Sequence, residues 1–532
     1  MGRRAIVTSA HPLASMAGIQ MLLEGGNAVD AAVAVASTLN VVEPYMSGIG
    51  GVGAMLISSA NGRERHVLNF VGRVPAAADP ERVTSAELED GPRAGLVPGN
   101  PGGWLAAHDR FGRLPRSAVF APAIRMAEDG VPLTWKNCEF FNKARSKLAV
   151  SGEAQRIYLS AGEPRPGAPL VNKDLAATYR QVADGGADAF YRGPVAQAIC
   201  RAIREAGGWL TEDDLAGFQP EWLAPLTLPF RDTEVITMPP PFSAFQALQT
   251  LSILEDDDLQ AWGPNSAEYL HHFIEAVKLA TADRLAYAYA AQVPIEGLMS
   301  KPYGRSQRAR IDQKRAGVSE GERFALERLP EQIEPGHPEE FTAVFAREQT
   351  THFACADTGG TVVTCTQTLG APFGSGFVIP GTGIMLNNLL QWQDLHPDSP
   401  NRLRPGRRVG TNMTPMQVFA DGEFRMSIGT PGSYGILQTT VQMLLNVLAF
   451  EMHIQEAIEA PRVRVYRDRL VDAEGRIGGP VRDELTRRGH QVNVIEDWSW
   501  IVGGGQGITR DVESGALQGG ADPRRDGYAL AV

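Results

Sequence analysis

The chain has 532 residues, a formal net charge of -11 and only four cysteines. Hydrophobic residues make up 43% and charged residues 21%, which is typical of a globular protein and excludes a mainly disordered one. Nucleic-acid binding needs a concentrated basic face, so the acidic balance argues against a nucleic-acid partner. No apolar run approaches the roughly 20 residues that span a bilayer, so no membrane partner is expected.

The cysteines and the first residues of the chain indicate in which cellular compartment the protein is expected. Cys138, Cys200, Cys355 and Cys365 contain no CxxC pair, so neither a disulfide framework nor a zinc knuckle is indicated. Four scattered cysteines read best as small buried hydrophobes in a reduced compartment. The first residues lack the long apolar segment of a secretory signal. These observations predict a cytoplasmic protein.

The first part of the chain alternates short strands with helices. A strand is predicted at Ala5–Val7, and a helix follows that ends at Gly25 and Gly26. Residues 27–36 are apolar on nearly all sides, which predicts a helix packed all round. The glycine-rich residues 47–53 lead into a strand and not into a helix, so a phosphate loop is disfavoured. Asn61-Gly62 predicts a hairpin turn.

The middle of the chain is mainly helical and ends in a segment of different composition. Helices are predicted near residues 120–127, 174–183, 211–215, 244–255 and 267–289, with a strand at 234–238. From about residue 300 to 349, charge, proline and glycine predominate. Such composition is typical of a weakly packed surface arm.

This arm leads to Gln349, Thr350, Thr351 and His352. We predict that the chain is cut between Gln349 and Thr350, because a threonine at a new chain start carries its own base in the freed amine. An α-amino group titrates at about 7.7 to 8.0, so a useful fraction is unprotonated near neutral pH. Paired threonines also suit an ordinary strand. His352 invites a triad, but the alternation of adjacent strand residues favours a structural role for it.

Beyond the proposed cut, two strands are predicted at Thr351–Ala356 and Thr361–Thr368, joined by a turn. A further strand at 425–428 runs into the glycine-rich residues 429–435 and then a helix at 436–448. A turn of this kind directs backbone N–H groups toward one point, as an oxyanion hole requires. A tight turn without chemistry is the alternative.

Several short motifs occur together in a characteristic order. They are Gly25-Gly26-Asn27-Ala28-Val29-Asp30-Ala31-Ala32, Pro98-Gly99 with Gly103-Trp104, Met238-Pro239-Pro240-Pro241, Ala282-Asp283-Arg284, Gln349-Thr350-Thr351-His352, Asn387-Asn388, Met413-Thr414-Pro415 and Pro431-Gly432. With them the chain resembles the γ-glutamyltranspeptidase family of N-terminal nucleophile hydrolases over essentially its whole length. The resemblance implies an α/β fold, a four-layer αββα sandwich. It also implies a precursor that cuts itself into a large subunit, 1–349, and a small subunit, 350–532, in one intertwined unit without metal or organic cofactor.

Site residues follow from the same resemblance. Thr350 matches the nucleophile, and Thr368 matches the threonine whose hydroxyl hydrogen-bonds to it. Gly432 and Ser433 match the oxyanion-hole turn, where the family usually has two glycines. Thr411 and Asn412 match a pair of serines that hold the substrate α-carboxylate, and both can still donate hydrogen bonds.

The departures from the family pattern concern the substrate. Val71 stands where an arginine usually grips the α-carboxylate, and Arg73 is a candidate replacement two residues along. Leu389 and Trp392 stand where a polar residue and an acid usually receive the α-amino group, with Asp394 slightly displaced. An ammonium buried beside an indole in place of a carboxylate would be unpaired, which costs several kcal/mol. A substrate without that ammonium is therefore equally compatible.

Three functions are weighed on this basis. The first is a self-processing γ-glutamyltransferase-like enzyme of glutathione metabolism, which cleaves a γ-glutamyl or related acyl group from a small-molecule amide and is able to transfer it. The second is an amidohydrolase or acylase on an oxamate-like or glutaryl amide, and the third is an unprocessed, non-catalytic binding protein. The two subunits are expected to stay associated, with a homo-oligomer of the processed heterodimer possible. The absence of G-x-S-x-G and HExxH motifs disfavours serine hydrolases and metalloproteases.

Overall fold

Two β-sheets that pack face to face form the centre of the chain, and helices cover the outer face of each. This computed structural model describes residues 1–160, 162–290, 292–317, 349–466 and 468–532. The strands are β1 (Ala5–Ser9), β2 (Val52–Ser59), β3 (Glu64–Asn69), β4 (Val131–Pro132), β5 (Pro169–Leu170), β6 (Glu221–Leu223), β7 (Leu226–Phe230), β8 (Thr233–Thr237), β9 (Gln349–Asp357), β10 (Val362–Gly370), β11 (Val378–Ile379), β12 (Ile384–Met385), β13 (Met416–Ala420), β14 (Glu423–Gly429), β15 (Val463–Val465), β16 (Leu470–Glu474), β17 (Gln491–Ile495), β18 (Gln506–Arg510), β19 (Leu517–Ala521) and β20 (Tyr528–Ala531).

The two large sheets are antiparallel throughout. The first has seven strands in the order β20-β1-β9-β10-β2-β3-β6, and the second has six in the order β19-β18-β14-β13-β8-β7. A smaller sheet joins β15, β16 and β17. Strands from both sides of residue 349 build the first sheet, because β1 lies between β20 and β9, and β10 pairs with β2. Each part of the chain therefore completes the hydrogen bonding of the other.

Helices account for most of the remaining regular structure. They are α1 (Pro12–Leu23), α2 (Ala28–Val42), α3 (Ser85–Glu89), α4 (Asn100–Phe111), α5 (Arg116–Asp129), α6 (Trp135–Lys143), α7 (Arg145–Leu148), α8 (Gly152–Ala154), α9 (Lys173–Tyr191), α10 (Pro194–Glu205), α11 (Glu212–Ala216), α12 (Phe245–Ile253), α13 (Leu259–Trp262), α14 (Ala267–Tyr287), α15 (Ile295–Leu298), α16 (Lys301–Arg308), α17 (Ile436–Leu448), α18 (Ile454–Glu459) and α19 (Gly479–Arg487). In the described part of the chain, no helix is both long and apolar enough to cross a bilayer.

Three apolar layers follow from the alternation of side chains along the strands. In β9, Phe353 and Cys355 pack with α1, α2, α5 and α9 in one core. The neighbouring Ala354 and Ala356 point the other way and meet β8 and β18 in the core between the sheets. A third core joins the outer face of the second sheet to α12, α14 and α17. The order is therefore helix, sheet, sheet, helix, and the expected four-layer αββα sandwich is confirmed.

Several local predictions are also confirmed. Helix α2 is buried at every position, as its apolar circumference predicts, and α17 has the predicted bounds. The helix predicted near 211–215 is α11, which Thr211 and Asp214 cap reciprocally. The four cysteines are free and buried.

The segment after residue 300 differs from its prediction. Composition predicts a loosely packed arm from about 300, but residues 301–308 form α16, and Tyr303 within it is fully buried. Tyr303 donates a hydrogen bond to Asp283 of α14 at 2.8 Å. Proline and glycine counts do not reveal such an anchor. The rest of the predicted arm, residues 318–348, lies outside the described residues.

Candidate active site

Thr350 lies at the second position of β9, opposite an irregularity in β10. Thr351 pairs with Gln367 and Gln349 pairs with Gly370, so Thr368 and the residue after it face the single residue Thr350. This two-against-one arrangement is a β-bulge, a device that redirects side chains near functional sites. The N–H of Gly370 donates to the Thr368 hydroxyl at 2.8 Å. The fold thus brings the two threonines named from the sequence together.

The two threonines of the Thr350-Thr351 pair point to opposite faces of the sheet. Thr351 faces the helices, where its hydroxyl donates to Glu43 Oε2 at 3.1 Å. His352 faces the second sheet, and its ring lies against Gly429 at the end of β14. Thr350 is two residues from His352 and shares that face. Thr350 is therefore the member of the pair that faces the second sheet, to which β14 belongs.

Glu43 is a fully buried acid in contact with the residue after Thr350. It follows the end of α2 and is 1% exposed. Burial raises the pKa of Glu43 to about 8, while the nearby Arg525 and the hydroxyl of Thr351 oppose this rise. A protonated carboxyl near neutral pH is the form that such burial favours.

The turn after β14 has an unusual backbone conformation. Gly432 has φ 135°, and Ser433 has φ 57°, which is uncommon for a residue with a side chain. The Thr430 hydroxyl donates to the Pro431 carbonyl at 2.8 Å and accepts from the N–H of Gly504 at 2.8 Å. The turn is therefore held by one local bond and by one bond from a distant part of the chain, and α17 begins after it.

The surroundings of His352 fit a structural role. The reason given from the sequence, that it faces away from Thr350, is wrong. Thr350 and His352 are two residues apart, so strand alternation places them on the same face and does not separate them. The His352 ring is fully buried, and its Nδ1 lies 2.8 Å from the Thr366 hydroxyl. Burial lowers the pKa of His352 to about 3. A neutral histidine wedged between the sheets supports the turn after β14 through Gly429.

A cavity of about 770 Å³ borders the turn. Gly432 and Ser433 line it, together with Ala371 and Pro372, which follow the bulge in β10. Thr350 itself is 5% exposed in the uncut chain. The cavity gives a small molecule access to the proposed oxyanion donors.

The residues proposed to hold a substrate carboxylate have unused donors. Thr411 and Asn412 are 1% and 2% exposed. The Thr411 hydroxyl and the Asn412 Nδ2 find no hydrogen-bond partner among the described residues. Buried donors without partners are costly, and a bound ligand is one explanation of their retention.

Arg73 does not line the cavity beside the turn. Its guanidinium donates to Glu221 and to the carbonyl of Gly406, each at 3.2 Å, and about half of its side chain is exposed. Val71, at the position of the family arginine, is 1% exposed. The neighbouring Arg408 donates to the Val71 carbonyl. The structure therefore places Arg73 in a surface ion pair.

Trp392 and Asp394 both line a second cavity, of about 420 Å³. The Trp392 ring stacks on Tyr434 with 6.3 Å between the centroids, and its indole N–H has no partner among the described residues. Asp394 is exposed and accepts a hydrogen bond from Ser399 at 2.7 Å. The two residues therefore line the same cavity, and Trp392 contacts Tyr434, the residue that follows Ser433.

One buried cluster has side chains of metal-binding type. His271, Glu275 and His490 place ligand atoms within 4.8 Å of one another. The two imidazoles are already 2.9 Å apart in a hydrogen bond, and Lys278 donates to Glu275 at 2.7 Å. A metal ion would have to bind beside this ammonium group. The expectation of a metal-free enzyme stays a prediction.

Sequence reasoning assigned no role to three residues that the structure places near the site. Glu43 lies 308 positions from Thr351 in the sequence, so no local pattern links them. Arg284 belongs to the Ala282-Asp283-Arg284 motif, which signalled importance without indicating a role. Arg464 lines both cavities and occurs in a short strand without any motif.

Comparison with known proteins places the whole chain in one family. The γ-glutamyltranspeptidase family profile matches residues 14–532. The acylase ACY 1 proenzyme of Pseudomonas sp. (strain SE83) is 35% identical over 100% of this chain and 94% of its own, and the glutathione hydrolase proenzyme of Bacillus subtilis (strain 168) is 31% identical over 100% and 92%.

Solved structures agree. The cephalosporin acylase from Bacillus halodurans superposes with a TM-score of 0.89 at 31% identity, covering 100% of this chain and 96% of that one. The γ-glutamyltranspeptidase of Helicobacter pylori gives 0.56 at 32% identity, covering 63% and 96%. The chain belongs to the γ-glutamyltranspeptidase family.

Proposed function

We propose that this chain is a proenzyme that cuts itself before Thr350 and then hydrolyses amides with the new N-terminal threonine. The observations that support the proposal are the β-bulge at Thr368 opposite Thr350 and the contact of His352, two residues along β9, with Gly429, three residues before Gly432. The proenzyme names of the relatives support it.

Self-cleavage begins with the Thr350 hydroxyl. Its oxygen attacks the carbonyl carbon of Gln349, the C–N bond breaks, and the proton from the hydroxyl passes to the departing nitrogen. Gln349 is then held as an ester, which water hydrolyses to give a free carboxylate on Gln349 and a free amine on Thr350. Thr368 positions the attacking hydroxyl through its own hydroxyl group.

The mature reaction uses the same atoms. The Thr350 amine accepts the proton of its own hydroxyl, the oxygen attacks the substrate carbonyl, and the backbone N–H groups of Gly432 and Ser433 stabilise the oxyanion. The leaving amine takes the proton and departs. Water then hydrolyses the acyl ester, or an amine accepts the acyl group in a transfer.

The acyl group is a γ-glutamyl or a related carboxylate-bearing group. Thr411 and Asn412 supply donors for a carboxylate. The positions that would receive an α-ammonium are occupied by Leu389, which is buried, and by Trp392. This favours a glutaryl-type or oxamate-like acyl group without an ammonium, and the likeness to a cephalosporin acylase supports the same choice.

The test compares γ-glutamyl-p-nitroanilide, glutaryl-p-nitroanilide and an oxamate-type anilide, each with and without glycylglycine as acceptor. We expect the fastest release of p-nitroaniline from an acyl group that lacks the α-ammonium, in the absence of the acceptor. Faster hydrolysis of the γ-glutamyl compound would contradict the acyl preference. Intact wild-type chain with no turnover of any compound would instead favour an uncut binding protein.

Three further properties are proposed from the sequence. A role in glutathione metabolism, a cytoplasmic location and a homo-oligomer of the processed heterodimer rest on the sequence alone. Association of the two subunits is supported by the shared sheets.

A further inference from the structure

The cavity of about 420 Å³ beside the oxyanion turn is rich in hydrogen-bond donors that the proposed mechanism does not use. Tyr434 and Gly435, which follow Ser433, form one side of it. Arg284 of α14 and Arg464 of β15 line it as well, and Gln391 and Trp392 face them. It adjoins the larger cavity, with which it shares Gln391, Arg464 and Tyr466.

Arg284 is a buried cation that has no anionic partner among the described residues. Its side chain is 3% exposed, its Nε donates to Gln246 at 2.7 Å, and its guanidinium lies 4.5 Å from the centre of the Tyr434 ring. Within the described part of the chain, its Nη1 has no hydrogen-bond partner and no carboxylate forms an ion pair with it. A buried charge without a counter-ion is costly, and such groups commonly mark ligand sites.

Other hydrogen-bond donors that line this cavity also favour a bound anion. Arg464 donates to the carbonyl of Ile501 at 2.7 Å and has no carboxylate partner in the described part of the chain. The Trp392 indole N–H and the Gln391 Nε2 are buried donors without acceptors there. The acid lining this cavity, Asp394, is exposed and accepts from Ser399. Four donor groups therefore surround the cavity, and the carboxylate that lines it is at the solvent side.

We propose that this cavity binds a carboxylate of the amide substrate, with Arg284 as its ion-pair partner and the N–H groups of Trp392 and Gln391 beside it. A guanidinium presents paired N–H donors that match the two oxygens of a carboxylate. The inference rests on the proposed amidase function and adds an anion site separate from Thr411 and Asn412. The carboxylate belongs to the acyl group or to the amine half of the substrate.

Four chromogenic amides separate these two sources. Pentanoyl and glutaryl p-nitroanilides differ by a carboxylate on the acyl group, and the corresponding 3-carboxy-4-nitroanilides add one to the amine half. For Arg284→Met we expect kcat/KM to fall at least about tenfold for the compounds whose carboxylate occupies the cavity, and less than about threefold for the pentanoyl p-nitroanilide. Arg284→Lys should be intermediate. Arg110→Met is the matched control. Arg110 also lies over aromatic rings, but it is exposed and lines neither cavity.

Trp392→Phe is a milder variant that keeps the ring on Tyr434 and removes only the N–H donor. We expect it to lower kcat/KM about two- to tenfold for the same carboxylate-bearing amides. An equal loss on all four amides in Arg284→Met and Trp392→Phe would overturn the inference, since it would show that these residues only support the Tyr434 turn.

A binding measurement keeps this inference separate from the proposed catalysis. Glutarate represents the acyl source and 5-amino-2-nitrobenzoate the amine source, and the thermal shift produced by each is measured in the wild type and in both variants. We expect one of the two to raise the Tm of the wild type and not that of Arg284→Met. A wild type that responds to neither, or a shift that persists in Arg284→Met, overturns the site even where the amides are hydrolysed. A selective shift without hydrolysis contradicts only the proposed function.

Discussion

Glu43 is a buried acid that contacts Thr351, the residue after the proposed nucleophile. The Thr351 hydroxyl donates to its carboxyl group, which burial keeps protonated near neutral pH. An acid whose pKa is raised in the folded state stabilises the fold fully below its unfolded pKa, near 4.5. That contribution is lost as the pH rises through the folded value of about 8.

We therefore expect Glu43→Gln to change how stability depends on pH. In a Thr350→Ala background, which keeps the chain uncut, the Tm of the protein that retains Glu43 should fall relative to that of the Glu43→Gln variant as the pH rises from about 4.5 to about 8. Thermal unfolding of both proteins across this range checks it. A difference in Tm that does not vary with pH would show that Glu43 has an ordinary pKa.

Thr368 is expected to act through its hydroxyl group. Thr368→Val keeps the shape of the side chain and removes the hydrogen bond, so self-cleavage should slow by at least about tenfold, the equivalent of one good hydrogen bond. The rate is followed as loss of the intact chain on a denaturing gel. Thr368→Ser should restore most of it, and an unchanged rate in Thr368→Val would remove Thr368 from the mechanism.

At the scale of elements, β9 and β14 belong to different sheets and approach closely where His352 lies against Gly429. A Cβ atom on Gly429 would lie 2.2 Å from Cε1 of His352. The end of β14, and with it the oxyanion turn, is therefore positioned by a side chain two residues from Thr350. Glycine is required at this position because of close approach, not because of a special backbone angle.

Gly429→Ala should consequently disturb both stability and activity. We expect a loss of about 1–3 kcal/mol in the free energy of unfolding, as for other overpacked cores, together with slower self-cleavage. Gly478→Ala is a matched control, since a Cβ there meets nothing within 4 Å and φ is -53°. Chemical denaturation measures both variants, and equal effects at the two positions would contradict the close contact.

The elements around the site could be read from the sequence where the pattern was local. β9, β10 and α17 follow from β-branched runs, a turn and an apolar helix pattern. The bulge opposite Thr350 could not be read, because it depends on the register between two strands. The anchored helix α16 was missed because its burial depends on a contact between Tyr303 and α14.

At the scale of the whole molecule, residues on both sides of the proposed cut build both sheets. β1, from the large subunit, lies between β20 and β9 of the small one, and β10 of the small subunit pairs with β2 of the large. Cleavage before Thr350 breaks one covalent bond and none of these strand pairs.

The two fragments should therefore stay together after cleavage. Size-exclusion chromatography of the processed protein should give one peak that contains both fragments, and only denaturant should separate them. Elution of separate fragments under native conditions would contradict the shared sheets.

The family motifs predicted the fold, which is confirmed. Their assignment of Thr350 as the nucleophile stays a prediction, and the residues that line the cavity could be found only in the structure. Arg73 was a reasonable replacement for the missing arginine by its place in the chain, but Glu221 and Gly406 occupy its guanidinium. Arg284 lies 66 positions before Thr350, and only the packing of α14 on the turn at Tyr434 brings it to the cavity. Local sequence patterns cannot identify substrate-binding residues that different layers of the fold bring together.

The most direct test of the account is the mass of the purified chains. Wild-type protein should give two fragments, of which the smaller begins at Thr350, and Thr350→Ala should give a single uncut chain after the same incubation. Cleavage of the Thr350→Ala protein at the same bond, or a wild-type fragment that begins at another residue, would contradict the assignment of Thr350 as the nucleophile.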